Sequence, residues 1–268
     1  MARSGVVKTD DFEMDYCTFG TGDRIQVIIP GLSVQSVMGS KDSIEEAFSV
    51  FNDDFTTYVF DRRRSIPDDY SVYDMADDTA EAMKKLGLSQ TYVFGASQGG
   101  MIGMVIAIRY PELIKKLALG STSSHVHHAQ RRVIEEWIDL AQKKDSAALY
   151  DAFSKEIYPK DVYEQNKEYF AEAAKSVTDE DLDRFVILAR AVLDFDVTDQ
   201  LKNINCPVLA LGEFNDEVLD SDATMEIAEN LDYRDDFSLY MYNGFGHAAF
   251  DTAPDYKNRV VDFYMKDV

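Results

Sequence analysis

Cysteine is nearly absent. Cys17 and Cys206 are the only two in 268 residues and lie far apart, so no disulfide framework is encoded and two free thiols are expected. Nor does any uninterrupted apolar run approach the ~18 residues that a membrane helix needs. The opening Met1–Ala2–Arg3–Ser4–Gly5 reaches charge by Lys8 and Asp10, leaving no apolar signal region; the cytoplasm is the expected address and a membrane is not an expected partner. Basic residues are outnumbered, 27 against 49 acidic, for a net charge of −22. A surface this acidic repels phosphate backbones, which argues against a nucleic-acid partner. Arg62–Arg63–Arg64 is the one basic triplet and is too short to read as a nucleic-acid patch.

What is present is a foldable core. Apolar residues make up 46% of the chain, which excludes disorder. Strand-like runs at Gly5–Lys8, Phe12–Phe19, Ile25–Ile29, Thr56–Phe60, Tyr92–Ala96 and Ile114–Leu119 alternate, after the first two, with helical patterns at Ser43–Phe51, Tyr70–Leu86 and Met101–Ile108. Such alternation predicts right-handed crossovers in a parallel sheet. From about Ser124 to Asn205 the patterns are helical only: Ala129–Lys143, Ser146–Ile157, Asp161–Ser176 and Asp179–Phe195. Sheet rhythm resumes with Pro207–Gly212, a helix over Ser221–Leu231, a strand over Phe237–Tyr242 and a helix over Pro254–Met265. The expected organisation is one α/β core, residues 1–123 and 206–268, interrupted by a helical cap over 124–205.

Within that rhythm, Gly95–Ala96–Ser97–Gln98–Gly99 stands between a strand and a helix. In this context Gly-x-Ser-x-Gly predicts a nucleophile elbow, with Ser97 at the tip of a turn too tight for bulk and a helix N-terminus behind it. A serine hydroxyl needs a general base, itself oriented by a third group. Of the four histidines, His247 follows the last strand in the loop Asn243–Gly244–Phe245–Gly246, on the sheet edge where open α/β sheets bind ligands. The acid should follow the preceding strand, where Glu213, Asp216 and Glu217 are available. Asp216 is favoured: it stands far enough into the loop to turn back toward His247. Glu213 ranks second and Glu217 third. Two backbone donors are expected for an oxyanion, Gln98 N–H and Leu32 N–H in the turn Pro30–Gly31–Leu32–Ser33. His125, His127 and His128 have no acid or cysteine at ligand spacing, so no metal is expected and they are read as lining or rimming the pocket. No cofactor is implied.

These motifs together resemble the α/β-hydrolase superfamily, in its small capped form that includes esterases, lactonases, carbon–carbon bond hydrolases and cofactor-free perhydrolases. The resemblance runs from about Asp11 to the C-terminus outside the insertion. It takes in the Asp-x-Arg-Gly-like turn at Asp61 and the segments Gly95–Gly100, Val208–Asp216 and Gly246–His247. It implies an eight-stranded, mostly parallel sheet flanked by helices, and roles for Ser97, Asp216, His247, Leu32 and Gln98 as above. Two positions depart: Pro30–Gly31–Leu32–Ser33 replaces the family's His-Gly-x-Gly, and Arg64 stands where glycine is usual. The expected activity is hydrolysis of a small, mainly apolar carboxylic ester through an acyl-enzyme on Ser97. Acyl transfer, perhydrolysis and non-catalytic ligand sensing are the alternatives, and self-association remains open. A serine at position 97 excludes haloalkane and epoxide chemistry, which needs a carboxylate there.

Overall fold

The apolar runs become eight strands in the computed structural model, which describes residues 1–266. They are β1 (Arg3–Lys8), β2 (Glu13–Phe19), β3 (Arg24–Ile29), β4 (Phe55–Arg63), β5 (Thr91–Ala96), β6 (Ile114–Gly120), β7 (Val208–Glu213) and β8 (Phe237–Tyr242). One sheet joins them in the order β1-β2-β4-β3-β5-β6-β7-β8. Among the described residues, β2 alone runs against the others, pairing antiparallel with both β1 and β4. The remaining pairs are parallel. This is the expected mostly parallel sheet. Asp267 and Val268, the last two positions of the second core segment, lie outside the described residues.

Both faces of the sheet are covered, so its central strands carry near-continuous apolar runs. Alternate residues separate into two cores: Val27, Ile29 and Val93 on one side, Ile28, Phe94 and Ala96 on the other. The first side is packed by α2 (Val72–Lys85) and α3 (Gln98–Arg109), the second by α1 (Lys41–Ala47) and, near the C-terminus, α10 (Tyr256–Met265). The start of α2 is set by Ser71, whose Oγ accepts from Asp74 N at 3.2 Å while Asp74 Oδ2 accepts from Ser71 N at 2.9 Å. A reciprocal cap of this kind contributes about 1 kcal/mol.

The helical segment folds as α4 (His128–Gln142), α5 (Ser146–Ile157), α6 (Lys160–Ala174) and α7 (Asp179–Leu193), and α8 (Asp220–Leu231) follows β7. Trp137, Leu149 and Phe185 from these helices are buried in the same apolar cluster as Ile29 and Met101, so the cap is continuous with the core. Its entry and exit meet at a short neck. Val197 N donates to Ser124 O at 2.9 Å, and His125 bridges Asp196 in antiparallel fashion.

One helix differs from the sequence reading and one is additional. The first stops at Ala47 and is followed by a short 3-10 turn, Ser49–Phe51. The last, α10, falls where the sequence places it, but a short α9 (Ala249–Thr252) precedes it and ends at Ala253, whose φ of −83° and ψ of 124° are extended. Pro254 is the cause, because a residue preceding proline is sterically excluded from helical geometry. No helix among the described residues is long and apolar enough to cross a membrane.

Candidate active site

The glycines around Ser97 are there for steric reasons. A Cβ on Gly99 would lie 1.8 Å from Ile29 O, and one on Gly95 would lie 2.4 Å from Gly99 O. Both are impossible approaches, so strand and helix meet as closely as backbones can. Ser97 itself is forced to φ 52°, ψ −122°, a conformation that costs a side-chain-bearing residue about 1–3 kcal/mol. The surroundings hold it there: Ser97 N donates to Gly120 O at 2.8 Å, and Thr122 Oγ1 donates to Ser97 O at 2.7 Å. Thr122 is a contributor that the sequence did not reveal.

Two loops at the same sheet edge bring an acid to a histidine. His247 Nδ1 lies 2.8 Å from Asp216 Oδ2, and both residues are buried. The other carboxylate oxygen of Asp216 accepts from Val218 N at 2.8 Å and Leu219 N at 2.9 Å. Those two bonds fix the carboxylate plane and leave Oδ2 for the imidazole. Glu217 is exposed and takes no part in this pair.

Glu213 has a different task. It is buried and accepts from Asn215 N at 3.1 Å, Gly244 N at 2.8 Å and Phe245 N at 3.0 Å, so it ties the start of the acid loop to the histidine loop. Glu213→Ala is expected to lower unfolding free energy by about 2 kcal/mol or more, because backbone donors lose their acceptor. Chemical denaturation measures this, and an unchanged midpoint and slope would mean that the loops hold without it.

The turn after β3 rests directly on the elbow. A Cβ on Gly31 would stand 3.2 Å from both Ala96 O and Ser97 Cβ. Leu32, next in this turn, lines the same cavity as Ser97 and His247. Gln98 opens α3, so its N–H has no upstream helical carbonyl to bond.

Beneath this turn lies a network built on Asp61 and Arg62, whose partners the sequence did not reveal. Arg62 is buried, and burial pulls its guanidinium down to about 10, still cationic at neutral pH. Its Nη2 donates to Pro30 O at 2.7 Å and to Gln98 Oε1 at 3.1 Å, gripping the β3 turn and the elbow helix together. The Gln98 amide donates onward to Leu188 O at 2.7 Å, and Arg184 Nη2 donates to Asp61 Oδ1 at 2.8 Å. Leu188 and Arg184 belong to α7, so the cap is fastened to the elbow helix through Gln98 and to the end of β4 through Asp61. Arg64, the departure from the usual glycine, points away from all of this. It pairs with Glu13 at 2.6 Å and Asp15 at 2.7 Å on β2.

Ser97 and His247 open into a cavity of about 350 Å³. Trp137, Phe153 and Tyr158 cover it from the cap, and Phe48, Phe94 and Phe250 enclose it from the core. Ser33, Ser40 and Asp251 are among its few polar groups, and no lysine or arginine lines it among the described residues. The expectation for the other histidines needs correcting. His125, His127 and His128 are not among the lining residues; His125 and His127 sit at the cap neck, with Glu226 of α8 beside them. The sequence separation between Glu226 and the histidines hid this neighbour.

Comparison with known proteins agrees with this architecture. A family model described as alpha/beta hydrolase fold matches residues 27–237. "Putative carbamate hydrolase RutD" of Serratia proteamaculans (strain 568) is 25% identical over 243 residues, covering 87% of this chain and 90% of the relative. Among solved structures, MGS-M2, an alpha/beta hydrolase enzyme from a Medee basin deep-sea metagenome library, superposes with a TM-score of 0.87 at 21% identity over 98% of both chains. The enol-lactonase from Burkholderia xenovorans LB400 superposes with a TM-score of 0.83 at 17% identity, over 98% of this chain and 100% of the other. With its sheet order, its elbow and a family match over most of its length, the chain belongs to the alpha/beta hydrolase fold family and is a hydrolase.

Proposed function

We propose that the protein is a serine hydrolase acting on small, mainly apolar carboxylic esters or related acyl compounds. The observation that carries this reading is the 2.8 Å Asp216–His247 contact beside Ser97, at the wall of a mostly apolar cavity. Asp216 engages Nδ1 of His247, which leaves Nε2 as the nitrogen that can take a proton from Ser97 Oγ. Oγ forms a bond to the substrate carbonyl carbon, and the carbonyl electron pair moves onto oxygen. That oxyanion is stabilised by the N–H groups of Leu32 and Gln98. As the tetrahedral species collapses, the alcohol leaves with the proton held on His247. Water, deprotonated by the same nitrogen, then releases the acid and restores Ser97.

Substrate choice rests on the cavity. At about 350 Å³ it lies near the lower end of small-molecule sites, and the net charge of −22 together with a lining that has no lysine or arginine among the described residues disfavours anionic acyl carriers such as coenzyme A esters. A series of p-nitrophenyl esters from acetate to palmitate is expected to give its kcat/KM maximum at short acyl chains. A maximum at octanoate or longer, or strong activity on an acyl-coenzyme A, would overturn this picture of the pocket.

A second reading comes from the relatives named carbamate hydrolase. A carbamate presents the same carbonyl to Ser97 with nitrogen in place of the acyl carbon. The mostly apolar lining offers a carbamate nitrogen few hydrogen-bond partners, so esters rank first. Comparing kcat/KM for a p-nitrophenyl ester and a p-nitrophenyl carbamate of equal size decides between them.

A further inference from the structure

We infer that His125, His127 and Glu226 form a site for a divalent transition-metal ion, zinc being the ion that the donor set fits best. The three ligand atoms lie within 4.8 Å of one another. His125 Nδ1 is 2.9 Å and His127 Nε2 is 3.6 Å from the same oxygen, Glu226 Oε2. Donors about 2.05 Å from a tetrahedral zinc stand about 3.3 Å apart, so both separations are close to the edge of such a tetrahedron. The longer one is beyond a hydrogen bond. His127 Nε2 is moreover buried with no hydrogen-bond partner, facing the Glu226 carboxylate at 3.6 Å.

Two imidazoles and a carboxylate suit zinc better than calcium or magnesium, which take oxygen ligands. Two hydroxyls stand beside the donors. Ser124 Oγ donates to Glu226 Oε2 at 3.0 Å, and Thr198 Oγ1 lies 3.0 Å from both Ser124 Oγ and His125 Nδ1. An ion on His125 Nδ1 takes the place of its contact with Thr198, while Ser124 can keep its bond to the carboxylate. His125, His127 and Glu226 are part-exposed, which leaves room for a water as the fourth ligand.

The place of the site gives it a task. Its histidines sit on the entry of the cap, Thr198 lies beside the exit, and Glu226 belongs to α8, the helix that follows the Asp216 loop. An ion there ties the entry of the cap to α8 of the core, outside the cavity that holds Ser97. Its role is structural, restraining how the cap moves over the pocket.

The test uses the full chain, purified and stripped with chelator, titrated with Zn²⁺ by calorimetry and with Co²⁺ by visible absorption. A single equivalent should bind with micromolar affinity or tighter, Co²⁺ should give the intense visible bands of a tetrahedral site, and saturating Zn²⁺ should raise Tm by about 5 °C. His127→Gln and Glu226→Gln should each weaken binding at least tenfold and lose the Tm gain, with unchanged far-ultraviolet circular dichroism. Should one variant fail to fold, the other decides. Absence of stoichiometric binding, or binding that both variants retain, would overturn the site; the second result would assign the ions to the acidic surface.

Discussion

Ser97→Ala is expected to reduce turnover of p-nitrophenyl acetate by on the order of 10⁴-fold or more, because nucleophile, base and acid act as one unit and losing one loses nearly all of their joint effect. The fold should survive, which Tm checks: the side chain is small and half-buried, and the elbow is held by its backbone bonds to Gly120 and Thr122. Alanine inherits the same strained φ of 52°, so stability should change little. A folded variant with wild-type rates would remove Ser97 from the chemistry.

Asp216→Asn should cost roughly 10²–10⁴-fold in kcat with little change in KM. The amide can still lie near His247 Nδ1, but it can present its N–H₂ there and stabilise the wrong imidazole tautomer. It also withdraws the negative charge that offsets a protonated imidazole. Because Oδ1 additionally caps Val218 N and Leu219 N, asparagine is the informative substitution and alanine is not: alanine would release the loop as well. Loss of KM rather than kcat, or near-normal kinetics, would return Asp216 to the role of a loop anchor and make another group the partner of His247.

Legibility in the sequence followed the range of the interaction. Ser97 stands between a strand and a helix, as its neighbours in the chain require, because the elbow is built from local sterics: Gly95, Gly99 and the apolar runs on either side carry the information. The Asp216–His247 pairing needed one further rule, that successive parallel strands bring their following loops to one edge. Glu213 shows the limit of that rule. The sequence offered it as a second candidate acid, and its engagement with Gly244 N and Phe245 N depends on the exact path of two loops. Arg62, Arg184 and Glu226 were beyond reach altogether. Each acts on partners far from it in the chain: Arg62 on Pro30 and Gln98, Arg184 on Asp61, and Glu226 on the histidines of the cap neck. Arg64, which stands where the resemblance leads one to expect glycine, is held at the surface by two acids on β2.

A fluorophosphonate followed by intact-mass and peptide mass spectrometry tests the serine nucleophile most directly. Its phosphorus traps an activated serine whatever the natural acyl group. One adduct per chain is predicted, on the peptide that contains Ser97, blocked by prior acylation and absent from Ser97→Ala. An adduct on another residue, or equal labelling of the Ser97→Ala protein, would contradict the assignment of Ser97 as the nucleophile.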